Sequence, residues 1–188
     1  MTDNAPGPGI TPDDIVTFWF SDEAKPKWWV KEDAFDAVVR GRFAAAFSAA
    51  LAGTLDGWAA TPEGALALVI LLDQVPRNSF RGTPGAFSGD EKALAVAKDA
   101  IARGLDAALP PDRRNFLYMP FQHSERLEDQ ESGMALFAAN DVAGGLDYMR
   151  AHRDIVARFG RFPHRNAILG RASTPEELDF LQQPNSSF

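Results

Sequence analysis

"TPEGALALVILLDQVPRNSFRG", Thr61 to Gly82, decides the fold class. By composition alone its apolar run from Ala65 to Leu72 reads equally as a buried strand or a buried helix. Thr61 followed by Pro62 is the N-cap and first-position pair of a helix. About fourteen residues then pass before Pro76, more than twice an ordinary strand. The segment is therefore read as a helix buried on most sides, broken where Pro76 removes a backbone donor.

The same start signals recur. Thr11-Pro12 and Thr174-Pro175 repeat the Thr-Pro cap with acids in the following turn, and Ser88 with Glu91 has the spacing of a capping box. Phe35, Val38, Val39, Phe43, Ala46, Phe47, Ala50 and Leu51 recur at helical spacing up to Gly53. Leu94, Ala97, Ile101 and Leu105 do so after Ser88. Further helices are expected near residues 112–119, 124–141, 144–159 and 174–183, with Ser124 capping the second of these and Gly160 closing the third. No segment alternates as a strand does. The expectation is an all-α protein of about eight helices in antiparallel hairpins joined by short Gly/Pro turns.

With 188 residues, 45% of them hydrophobic, the chain is sized for one core. It is read as a Pro/Gly-rich disordered leader over residues 1–10 and a single domain over 11–188. The absence of cysteine excludes disulfides, thiolate catalysis and thiolate-bound metal. The N-terminus lacks a basic segment followed by an apolar one, and eight apolar residues fall far short of the roughly 20 of a membrane span. A cytoplasmic protein with no membrane partner is expected.

A net charge of -7 argues against a general nucleic-acid binder. The charge is uneven, however. All five lysines lie at or before Lys98, whereas Arg150 to Arg171 holds six Arg and two His against the single acid Asp154. Arginine suits fixed, desolvated contacts, so the C-terminal half is read as built around held cations. A binding role for this stretch toward RNA is disfavoured by the acidity of the rest.

Three proline-marked corners carry the unusual polar residues. The first presents Asp73, Gln74, Arg77, Asn78 and Arg81 around Pro76. The second, at Pro120, presents His123, Ser124, Glu125, Glu128 and Asp129. The third presents Arg161, His164, Arg165 and Asn166 around Pro163. "PRNSFRG" and "PHRNAILGR" echo one another as Pro, Arg-Asn and Gly after a long apolar helix.

"LDQVPRNSFRGT", "YMPFQHSE" and "RFGRFPHRNAILGR", in that order, with the N-terminal "FWF" and "WW", resemble the bacterial domain of unknown function 924 family. The likeness runs from about Ile15 to Leu181. It implies an all-helical fold similar to tetratricopeptide-like hairpins and brings no activity with it. The Trp, Gly and Tyr landmarks of a true tetratricopeptide repeat do not recur, so a peptide-binding role is not carried over.

Two readings of the corners compete. In one, Arg77, Asn78, Arg81, Arg161, Arg165 and Asn166 converge on a pocket for a small carboxylate or phosphate, and His123 or His164, with Glu125, supplies acid–base chemistry. In the other, the arginines pair with Asp73, Glu125, Glu128 and Asp129 and tie loops to a scaffold that binds a protein partner. Trp28 and Trp29 are adjacent and cannot both face one core, so one is available to such a partner. His152 shares a stripe with Tyr148, Ile155 and Phe159 and is read as a core histidine. His123, Glu125, Asp129 and His164 lack the spacing of a metal site, no nucleotide-binding glycine loop occurs, and Ser124 has no nucleophile elbow. No metal or cofactor is expected.

Overall fold

The computed structural model describes residues 9–140 and 142–187, and all regular structure among them is helical. In order, the helices are α1 (Pro12–Trp19), α2 (Asp33–Leu51), α3 (Pro62–Val69), α4 (Val75–Ser79), α5 (Asp90–Ala102), α6 (Pro111–His123), α7 (Leu127–Asn140), α8 (Gly145–Phe159) and α9 (Pro175–Leu181). A π-helical turn, Ile70–Gln74, joins α3 to α4 without a break, so the rods number eight among the described residues. Most of the leader read over residues 1–10 lies outside the described residues. Ile10, its last residue, packs on the core.

Local chemistry sets the ends as read at three starts. Thr11 and Thr174 each form a full capping box, with Asp14 and Glu177, and the Thr61 hydroxyl accepts from the Gly64 N–H. Gly160 closes α8 in the left-handed region at φ 69°. The expected box at Ser88 is not formed: the cap position belongs to Gly89, and the Ser88 hydroxyl donates to the Gly85 carbonyl instead. Close approach explains the shift. A Cβ on Gly89 would stand 2.0 Å from the Leu72 carbonyl oxygen, so only glycine lets α5 begin against the π turn.

Neither expected proline break occurs. Pro76 has no N–H to return to Leu72 four residues earlier, and the wider π turn just before it takes up that mismatch while the rod continues to Ser79. Pro120 sits inside α6, which runs on to His123 because residues 116–123 are all buried and packing outweighs one lost hydrogen bond. The next helix consequently starts at Leu127 rather than Ser124. The Ser124 hydroxyl still accepts the Arg126 N–H, at 3.2 Å.

Consecutive helices α6, α7 and α8 pack on one another, and α3 lies centrally against α1, α5 and α6. Leu66, Leu68, Ile70, Leu71 and Leu72 are wholly buried. At about 1.5–3 kcal/mol for each such side chain, this rod is the chief apolar contribution to the fold. A second, smaller cluster gathers Ile155, Val156 and Phe162 with Phe159 and Phe180 at the C-terminal end. Trp28 turns inward and donates its indole N–H to the Trp19 carbonyl, while Trp29 remains 67% exposed. Among the described residues no helix is long and apolar enough to cross a membrane.

Candidate functional site

The π turn places Asp73, wholly buried, beside the last residue of α6. The His123 Nδ1 lies 2.7 Å from Asp73 Oδ1, which is also 3.1 Å from Arg77 Nη1. Asp73 Oδ2 accepts from Gln74 Nε2 at 2.6 Å. Burial raises the proton affinity of Asp73, but the adjacent charge of Arg77 and the hydrogen bonds from His123 and Gln74 outweigh it and hold the carboxyl well below the usual range. His123 moves down from its ordinary value because burial and the Arg77 charge together exceed the pull of Asp73. The pair is therefore a carboxylate and a neutral imidazole. Its hydrogen bond assigns the proton to Nδ1 and leaves Nε2 as an acceptor.

His123 lines a cleft of about 360 Å³, together with Phe87, Asp90, Glu125, Arg165 and Leu169. Its Nε2 makes no hydrogen bond to any described residue and is not sealed off from solvent. Across the cleft, Arg165 is 6% exposed, and its guanidinium carbon lies 4.6 Å from the ring centroids of both Phe87 and Phe162. A single contact of 3.3 Å, from Nη1 to Asp90 Oδ2, is its only ion pair among the described residues, and Nε has no partner. Burial, and then the neighbouring Arg77, push the guanidinium down to about 10, so it remains charged at neutral pH. Stacked between two rings, Arg165 is a held but half-satisfied cation.

The six residues read as converging fall into three groups. Arg77 and Arg165 meet on Asp90, to which Arg77 makes two bonds of 2.8 and 3.1 Å. Asn78 and Arg81 sit together on Asp36 of α2, away from the cleft lining. Arg161 and Asn166 share Glu177 of α9. Arg171 connects this third group to the cleft, accepting no proton itself but donating to Asn166 Oδ1 and, through two nitrogens, to Glu125. Glu125 also accepts the Phe162 N–H, so it anchors the third corner rather than facing His123 as a partner.

The three histidines gather around Phe162 and one another. The His123 and His152 rings are 6.1 Å apart, and both His152 and His164 lie against Phe162 at 5.6 Å. His152 donates from Nδ1 to the Tyr148 carbonyl, as a core histidine does. Burial lowers it to about 3 and lowers His164 to about 4. Glu128 takes no part in an ion pair among the described residues, and Asp129 is held by Lys98, Arg126 and Ser124. No group of three or more described His, Asp or Glu side chains is placed to hold a metal.

Sequence reasoning missed two participants and one pairing. Asp90 was hidden because an acid after a serine reads as helix-start chemistry, whereas here it joins two corners. Phe87 carries no polar signal at all. The pairing of Asp73 with His123 spans 50 residues, and no local pattern in the sequence marks it.

The chain was compared with known proteins. No curated protein matches it. A protein of unknown function from Agrobacterium tumefaciens, ATU0120, has a similar solved structure, with a TM-score of 0.87 and 45% identity over 91% of this chain and 96% of that one. The family model described as bacterial protein of unknown function (DUF924) matches residues 15–185, which takes in every helix from α2 onward and all three corners. The chain belongs to that family.

Proposed function

We propose that the cleft binds a small molecule through a carboxylate or phosphate seated on Arg165. The observation that carries this reading is a buried guanidinium, stacked between Phe87 and Phe162, with one long ion pair and an unpartnered Nε, in the same cleft lining as His123. Nearby charges are otherwise matched: Arg77 by Asp73 and Asp90, Arg171 by Glu125, and Arg126 by Glu91 and Asp129. The ligand's anion therefore completes Arg165 rather than joining a strongly positive field. The volume suits a small metabolite.

Thermal-shift titration with inorganic phosphate and with succinate tests this. A ligand at 100 times its Kd stabilises the native state by about 2.7 kcal/mol. The expected result is a shift with one of the two that Arg165→Met abolishes. Cooperative melting with no shift from either contradicts the reading.

A second reading, a scaffold for a protein partner, is favoured by Trp29, which is 67% exposed and stacks on Phe116 with ring planes 7° apart. A discrete partner that co-purifies with the wild type and is lost on Trp29→Ala, with both anions silent, would move the weight there.

A further inference from the structure

We propose that this cleft is catalytic, and that His123, oriented by Asp73, is a general base acting on a molecule whose anionic group sits on Arg165. The inference rests on the anion reading above and adds to it a reaction class. Asp73 is wholly buried, and His123, Arg77 and Gln74 all contact its carboxylate, so the imidazole that lines the cleft has one supported orientation, with Nδ1 held on Asp73 and Nε2 on the unheld edge of the ring. That is the arrangement by which a carboxylate fixes the tautomer of a catalytic histidine.

The serines of the cleft are already engaged. Ser124 Oγ donates to Asp129 and accepts from the Arg126 N–H, and Ser88 Oγ donates to the Gly85 carbonyl. The oxygen that His123 deprotonates is therefore water or a hydroxyl of the bound molecule. For a small anionic ester the balance is simple. Nε2 takes a proton from water, the water oxygen bonds to the acyl carbon, the bond to the alcohol oxygen breaks, and that oxygen recovers the proton from the imidazolium. Asp73 stays ionised throughout and stabilises the transient positive charge. Neither an oxidant nor a metal enters the balance.

Bromoacetate is a suitable probe because its carboxylate matches Arg165 and its carbon accepts the Nε2 lone pair, with loss of bromide. Bromoacetamide is its neutral control. The full-length protein is treated with each at pH 7 and the modified residue is located by mass spectrometry. The expected result is one carboxymethyl group on His123, formed at least tenfold faster than on free N-acetylhistidine and at least tenfold faster than with bromoacetamide. Arg165→Met should erase the difference between the reagents, and Asp73→Asn should slow both.

Because Asp73→Asn alters a buried charge, 15N NMR of the wild-type imidazoles provides a second test. His123 should be neutral at pH 7 with its proton on Nδ1. Alkylation of His123 no faster than the free amino acid, or a proton on Nε2, overturns the proposal. Fast alkylation by both reagents alike supports the base and overturns the anion reading instead.

Discussion

The corners at Pro76 and Pro163 use the same residues for different ends. In each, an arginine reaches Asp90 and the asparagine that follows it binds a carboxylate of its own, Asp36 for Asn78 and Glu177 for Asn166. Each closes on a glycine in the left-handed region, Gly82 and Gly170. They differ in how well the arginine is satisfied. Arg77 meets Asp73, Asp90 and the Asp73 carbonyl, whereas Arg165 has one contact of 3.3 Å and two aromatic faces. A buried charge with full partners holds structure together, and one without them costs stability unless something else completes it. The first corner is thus a structural clamp, and the second is the part of the molecule that offers a donor to the cleft.

The largest effect should come from the clamp. Arg77→Met strands Asp73 as a wholly buried, poorly compensated carboxylate, and a loss of about 3–5 kcal/mol in urea unfolding is expected. A loss under 1 kcal/mol would erase the distinction between the corners.

Next in size is the response to acid. His123, bonded to Asp73 of the first corner, is shifted down, and the second corner adds His164. The folded pKa of His164, about 4, lies below the unfolded value of about 6.5, so the unfolded chain binds the proton first. Stability from this group is complete above about pH 6.5 and falls toward pH 4 by about 1.4 kcal/mol per unit. His152, lowered to about 3, adds in the same direction over the same range. Melting temperature should therefore drop between pH 6.5 and 4, and His164→Gln should flatten that slope. An unchanged slope in the variant would contradict the assignment.

The asparagines sharpen the comparison at smaller scale. Asn166 is wholly buried and bonds to Ser173, Glu177 and Arg171, so Asn166→Ala should cost about 1–3 kcal/mol. Asn78→Ala leaves Asp36 its two bonds from Arg81 and should cost about 1 kcal/mol. Equal costs would mean that the corners are built alike. Smaller still is Arg158→Ala: both partners of the Arg158–Glu176 pair are largely exposed, and a change within about 1 kcal/mol is expected.

Much of the fold was legible in sequence because its causes are local. Thr11, Thr61 and Thr174 announce their helices through hydrogen bonds spanning three residues, and the apolar rod from Ala65 to Leu72 needs no partner information to be read as buried. The echo between the two Arg-Asn corners was legible for the same reason. Where reading failed, the deciding contact was distant. Pro120 reads as a break in sequence because the packing that carries α6 through it comes from other helices. Gly89 displaced Ser88 as the cap because the Leu72 carbonyl, far off in sequence, occupies its space. The candidate site depended on such contacts throughout: composition named Arg165, His123 and Asp73, but only the fold shows that Asp90 joins the corners and that Arg161 and Arg81 belong elsewhere.

On the anion reading, Arg165 is kept for what it offers the cleft and not for the stability of the fold. Urea unfolding of Arg165→Met beside the wild type, without added anion, tests it directly. A methionine between Phe87 and Phe162 removes a buried charge that one long ion pair does not repay, while Asp90 keeps both of its bonds to Arg77. The expected unfolding midpoint is equal to or above that of the wild type. A loss of about 3–5 kcal/mol, as expected for Arg77, would show that Arg165 is a second clamp.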